Sequence, residues 1–261
     1  MDALGDYVID AEVGRGGSAV VYRAHHASDS TGPVALKVLD AHHRDDVHVT
    51  RLRREFDFAK AAEHPHVVTV YDCGPGWLSM QLITGGTATN LPSRELRLSA
   101  LAQIADALDH VHALGIVHCD VKPTNILVSE PFSPAGAILV DFGIARSLAH
   151  EGTHQMTHVE ASLPYAAPEV LHGHPPSAAS DEYALACTTV ELLLGAPPFH
   201  THTAMALVDA HLNSPVPKYS HRVEWVPRAF DSILAKAMAK SPDLRYQSCA
   251  EFISLVTRAI G

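Results

Sequence analysis

Over the first eighty residues the apolar positions come in short β-branched runs broken by Gly, Ser, Asp and Pro. Tyr7-Val8-Ile9, Ala19-Val20-Val21-Tyr22 and Val34-Ala35-Leu36-Lys37-Val38-Leu39 predict strands. Between Val47 and Glu63 the period lengthens to that of a helix, with Leu52, Phe56 and Ala59 on one face. Val67 to Tyr71 and Leu78 to Ile83 predict two more strands, joined through Gly74-Pro75-Gly76. Beyond Gly85-Gly86 the pattern turns helical: Arg94 to Leu114 closes at Gly115, a typical residue for a helix C-terminus. Two short strands, Ile126 to Val128 and Ile138 to Val140, interrupt it. Helices follow over Tyr183 to Leu194, Thr203 to Leu212, Arg228 to Ala239 and Ser248 to Ile260. This predicts an α+β chain: a small β-rich lobe with one main helix over about residues 1–82, a hinge at about 81–86, and a larger helical lobe over about 87–261.

Composition narrows the function. The 261 residues are 47% hydrophobic and 18% charged, an ordinary globular balance. A net charge of −10 argues against nucleic acid or an anionic membrane surface as partner. Cys73, Cys119, Cys187 and Cys249 are scattered without a CxxC pair, so reduced thiols are expected. The acidic N-terminus lacks a signal-peptide pattern, and no stretch approaches the ~18 apolar residues of a membrane span, so a cytoplasmic location is expected. The 19 histidines show neither HExxH nor finger spacing, and most are expected at the surface rather than on a metal.

Three segments carry candidate chemistry. Gly14-Arg15-Gly16-Gly17-Ser18-Ala19-Val20-Val21 is a glycine-rich turn between two strands, able to bring backbone amides near phosphates or to serve as a plain hairpin. Lys37, on an apolar strand, either points to solvent or faces a cleft as a phosphate-binding charge. In the second case Glu55 is its natural partner, since Asp57 would face elsewhere on the helix. The third segment is His118-Cys119-Asp120-Val121-Lys122-Pro123-Thr124-Asn125, followed by Asp141-Phe142-Gly143.

With Ala35-Leu36-Lys37 and Ala167-Pro168-Glu169, these motifs resemble the eukaryotic-like protein serine/threonine kinases, in order and at family spacing over nearly the whole chain. Gly115-Ile116-Val117-His118 and Asp141 to Arg146 are most similar to the bacterial branch. The resemblance implies the bilobal protein kinase fold, with ATP and Mg2+ (or Mn2+) as cofactors and protein serines and threonines as substrates. By the same resemblance Asp120 would accept or orient the substrate hydroxyl proton, and Lys122 would steady the γ-phosphate. Asn125 and Asp141 would hold the metal, and Lys37 with Glu55 would place the α- and β-phosphates. Val13, Gly14, Gly16, Gly17, Val21, Ala35, Met80, Gln81 and Leu82 would line the nucleotide site. Structural pairs are implied too: Glu169 with Arg245, and Asp181 with the backbone of the His118 turn.

Three departures from the family pattern stand out. Ala19 replaces the third loop glycine, which costs the turn freedom at positive φ. Cys119 replaces the arginine that ordinarily binds a phosphorylated residue, so activity is expected not to need phosphate on the segment Ser147 to Ala161. Ala161-Ser162-Leu163 stands where relatives carry Gly-Thr or Gly-Ser and then a proline; Ser162 keeps a hydroxyl for Asp120 and Lys122. A nucleotide-binding pseudokinase would ordinarily have lost Lys37, Asp120 or Asp141. A small-molecule phosphotransferase would not be expected to keep Lys122, the segment from Ser162 to Glu169 and Asp181 in these contexts. No sensor or membrane tether is legible, so the expectation is either a free-standing kinase or one whose sensing is supplied by a regulatory partner in trans.

Overall fold

A computed structural model of the chain describes residues 3–28, 32–132, 136–147 and 162–261. Thr153, Thr157 and Ala161 of the segment discussed above lie outside them. The first part is a six-stranded sheet carrying one helix: β1 Ala3–Leu4, β2 Tyr7–Arg15, β3 Ala19–His26, β4 Val34–Leu39, α1 Asp46–Ala61, β5 Val70–Gly74 and β6 Trp77–Gln81. The strands run β1-β2-β3-β4-β6-β5, each antiparallel to its neighbour. Alternation along β4 sorts its side chains between two clusters. Leu36 and Val38 pack with Tyr7, Ala24 and Trp77 on one face. Ala35 and Leu39 face the main core, which includes Leu52 and Ala59 of α1. Lys37 sits between those two inward positions.

The Asp45 carboxylate caps α1 by accepting from His48 N. Its buried stripe is Leu52, Glu55 and Ala59; Phe56, expected on that face, is only partly buried, and Arg53 lies over its ring. A carboxylate thus occupies the helix face that meets the sheet, which an apolar count would not assign.

The second part contains α2 Arg94–Ala113, β7 Ile116–Val117, β8 Ile126–Val128, β9 Ala137–Leu139, β10 Arg146–Ser147, α3 Pro168–Leu171, α4 Ala178–Leu194, α5 Ala204–Asn213, α6 Arg228–Ala237 and α7 Cys249–Ile260. α4 is buried from Ser180 through Val190 and forms the centre of this lobe. The architecture is α+β with a sheet lobe and a helical lobe, as the pattern predicts. α4 starts five residues before the apolar run at Tyr183, because Ser180 closes its first turn by accepting from Ser177 N and the acidic Asp181 and Glu182 are themselves buried.

The strand expected from Val67 is displaced to Val70. Val68 N instead donates to Leu139 O (3.0 Å) and Leu139 N to His66 O (2.8 Å), tying this stretch to β9 of the other lobe. At the expected hinge Gly85 lies against the backbone of Val128, where a Cβ would come within 2.5 Å of the carbonyl oxygen. The pattern did not predict β1 or the two-residue ribbon of β7 with β10. Among the described residues, no helix is long and apolar enough to cross a membrane.

Glu182 is nearly fully buried, with Tyr246 N donating to its Oε1 (3.0 Å). Burial, opposed by that bond and by Arg245, pushes its carboxyl up to about 8. Between the ordinary value of 4.5 and about 8, the folded chain holds a proton that the unfolded chain has released, so stability falls as pH rises through that window. Denaturant titrations from pH 5 to 9 are expected to show this slope in the wild type and a shallower one in Glu182→Gln.

Candidate active site

Between the lobes lies a cleft of about 820 Å³, and every catalytic, nucleotide, metal and substrate residue nominated from the sequence lines it. On the sheet side, Lys37 Nζ donates to Glu55 Oε1 (2.8 Å) and Oε2 (2.7 Å) and reaches Asp141 Oδ1 at 3.4 Å. Burial resists the ammonium charge, but Glu55 and Asp141 outweigh it and hold Lys37 above its usual range. Burial likewise resists ionisation of Asp141, yet Lys37 keeps that carboxyl below its usual value. Asp57 faces away and pairs with Arg53 (3.3 Å).

The register of β4 with β6 sets Ala35 opposite Met80 and Val34 opposite Gln81, so the cleft wall continues into Leu82. The glycine turn hangs over this wall, closed by Gly16 N donating to Ala19 O (2.8 Å). Gly14, Gly16, Gly17 and Ala19 all avoid positive φ. Ala19 therefore sits where any L residue is at ease, and its Cβ puts no strain on this turn. What the glycines provide is space: a Cβ on Gly14 or Gly17 would meet no atom within 4 Å.

On the helical side, Asp120 is the centre of a polar set. Lys122 Nζ bonds Asp120 Oδ2 (2.7 Å) and Ser162 Oγ (2.8 Å), and Ser162 Oγ donates to Asp120 Oδ1 (2.8 Å). Asn125 Nδ2 donates to the carbonyl (2.9 Å) and to Oδ2 (3.0 Å) of Asp120, which leaves its Oδ1 free of those bonds. Asp141 stands at φ 68 with Gly143 packed close, 3.1 Å from an added Cβ to Asp141 Oδ1. Phe142 is fully buried edge-on to the His118 ring.

The turn before Asp120 is held from below. Asp181 Oδ2 accepts from His118 N and its Oδ1 from Cys119 N, both at 2.8 Å. His112 Nε2 also meets Asp181 Oδ2 at 2.8 Å. Cys119 adopts φ 69, and burial together with the charge of Asp181 raises its thiol well above the usual range, the setting of an inert thiol. Glu169 and Arg245 form a buried bidentate pair at 2.8 and 2.7 Å.

Three supporting contacts were not read from the sequence. Arg54 donates to Ala145 O (3.1 Å), fastening α1 to the chain beyond Gly143. The Tyr165 hydroxyl donates to Glu191 Oε2 (2.5 Å), and His211 meets the Tyr183 hydroxyl from α5 (2.9 Å). Each joins residues far apart in sequence through ordinary polar side chains, without a spacing signal.

Comparison with known proteins gives the family of the chain. The protein kinase domain family matches residues 7–254, and the chain belongs to that family. It is 37% identical over 267 residues to the serine/threonine-protein kinase PknJ of Mycobacterium tuberculosis, covering 97% of this chain and 45% of PknJ. Against PknH of the same organism identity is 36%, covering 99% of this chain and 42% of PknH. Against PknD it is 38%, covering 95% and 39%. The chain thus spans less than half the length of these relatives.

Removing the brace under the turn should register in stability. Asp181→Ala leaves two enclosed amides without acceptors, each worth roughly 1–3 kcal/mol, for an expected loss of about 3 kcal/mol or more in urea denaturation. A loss below about 1 kcal/mol would mean that the 118–120 turn supports itself.

Proposed function

We propose that the domain is a serine/threonine protein kinase that transfers the γ-phosphoryl group of ATP to hydroxyls of protein substrates. The observation that carries this reading is the closed set Asp120–Lys122–Ser162–Asn125 facing the Lys37–Glu55–Asp141 set across one cleft. The similarity to mycobacterial serine/threonine kinases supports it. Residues 1–82, 81–86 and 87–261 serve as small lobe, hinge and large lobe, and a cytoplasmic site of action fits the apolar pattern.

The residues present fit a nucleotide with a hard divalent cation. Asp141 and Asn125 offer oxygens suited to Mg2+, and the bonds made by Asn125 Nδ2 leave its Oδ1 for a ligand. When bound, magnesium–ATP supplies an activated γ-phosphoryl group whose charge the ion partly neutralises. Lys37, positioned by Glu55, offers one fixed positive charge to the α- and β-phosphates. Val21, Ala35 and Met80 form an apolar slot for the base, with the backbone of Gln81 and Leu82 at its edge and Val13 at its mouth. The turn over Gly14, Gly16 and Gly17 leaves room for backbone to approach phosphate oxygens. Asp120 takes or directs the proton of the incoming hydroxyl, Lys122 sets positive charge beside it, and Ser162 fixes both.

Control is the second part of the proposal. α1 sits inward, with the Lys37–Glu55 pair formed and Arg54 on Ala145 O. Cys119 provides no cation to bind a phosphate. The domain therefore works without a phosphorylated activation segment, and a partner in trans or another part of a longer protein supplies regulation.

Single-turnover transfer of labelled γ-phosphate to a generic basic protein tests the activity. Signal is expected in the wild type, falling on the order of 10²- to 10⁴-fold in Asp120→Ala. Nucleotide binding without transfer in the wild type would turn the reading toward a pseudokinase.

The control proposal is tested by replacing Ser147, Thr153 and Thr157 together with alanine. The folded triple variant is expected to keep activity within about threefold, less than one hydrogen bond to a charged group is worth. A large loss refutes phosphate-independent control.

A further inference from the structure

We infer that His211 is a positioning residue for the loop that carries Ser162, steadying it from behind through the Pro164 carbonyl; the inference rests on the kinase reading of that loop. Among the described residues, His118 and His211 are the two buried histidines, and His211 is 0% exposed on an α5 that is otherwise largely open to solvent. α5 packs on the short 3-10 turn Leu163–Tyr165, which follows Ser162 directly. The His211 ring stands edge-on to Phe199, with centroids 5.0 Å apart, and Lys240 Nζ donates to the His211 carbonyl (2.6 Å).

Nδ1 lies 2.9 Å from the Tyr183 hydroxyl of α4. Nε2 is enclosed and makes no hydrogen bond among the described residues; on the turn that α5 packs against, the Pro164 carbonyl lies near enough to influence the ring without bonding it. Burial, with the Lys240 charge adding, pushes the imidazole down to about 4, so it is neutral at ordinary pH. A neutral ring has one donor and one acceptor. If Tyr183 accepted from Nδ1, Nε2 would turn a lone pair toward the carbonyl oxygen. If Tyr183 donates to Nδ1, the proton sits on Nε2 and points at Pro164. The second tautomer satisfies Tyr183 and turns the Nε2 donor, unpaired in this structure, toward the turn that carries Pro164.

Pro164 lies two residues beyond Ser162, whose hydroxyl bonds Asp120 and Lys122. Proline has no amide donor, so its carbonyl is the one backbone polar group by which this point of the loop can be held. A small advance of the loop toward α5 completes the bond, as loose active-site contacts do when loaded.

Two variants separate this role from packing. His211→Asn keeps an acceptor for Tyr183 but falls short of Pro164; His211→Gln keeps a donor at the longer reach. In the Asn variant KM for a histone substrate is expected to rise about fivefold, the size of one ordinary hydrogen bond, with KM for ATP and substrate-free ATP hydrolysis within about twofold. The Gln variant should restore most of the loss. Hydrogen exchange at 162–166 should accelerate in Asn and stay near wild type in Gln, a readout that holds even if the wild type transfers no phosphate. Equal KM and equal exchange in wild type and Asn overturn the inference, as does a loss that Gln does not rescue. If His211→Asn does not fold, Tyr183→Phe takes its place. It frees the tautomer and should also accelerate exchange at 162–166, and unchanged exchange there overturns the inference.

Discussion

Asp181 enters the first turn of α4 with both carboxylate oxygens committed to the main chain beneath the cleft, at His118 N and Cys119 N. Those bonds hold Cys119 at φ 69, a conformation that costs a non-glycine residue on the order of 1–3 kcal/mol. With the turn so fixed, the His118 ring spans from Asp120 N to Val140 O, one residue before Asp141. The segments bearing Asp120 and Asp141 are therefore placed by one group of bonds. Strain at Cys119 is tolerated because α4, buried nearly all round, cannot yield.

The sheet lobe joins this frame through charge and backbone together. Lys37 reaches Glu55 on α1 and Asp141 at the lobe junction, so moving α1 outward would part a buried carboxylate from its cation. Such a separation is far costlier than breaking a surface pair, since an enclosed charge has no water to take its place. Arg54 on Ala145 O and Val68 N on Leu139 O reinforce the same junction. The inward position of α1 thus follows from contacts among the chain's own side chains and backbone. That complements the cysteine at position 119, where the resembled family keeps an arginine.

Much of the fold was legible because its elements bury apolar residues at regular spacing. β4 and α2 lie almost where the pattern sets them, and Ser248 caps α7 one residue before its start. The pattern failed where apolar residues change partner without changing character. Val67 and Val68 read as the start of a strand, yet their backbone turns to β9 of the other lobe, and only the choice of partner distinguishes the two. Short ribbons such as β7 with β10 contain too few residues to show any period.

The site was legible for a different reason. Asp120, Lys122 and Asn125 lie within six residues, so their grouping is written in local spacing; Lys37 and Asp141 join them through recognisable motifs, and Glu55 as the carboxylate on the helix face that can meet Lys37. The residues that hold this set in place carry no such mark. Glu182 and His211 look like surface residues in sequence and are enclosed in the structure. A polar side chain is buried only when partners from distant segments satisfy it, and nothing in its own neighbourhood records them. His211 sharpens the point: its ring has a partner on one nitrogen and faces the substrate loop with the other, so its meaning lies wholly in the packing of α5 against residues about fifty positions earlier in the sequence.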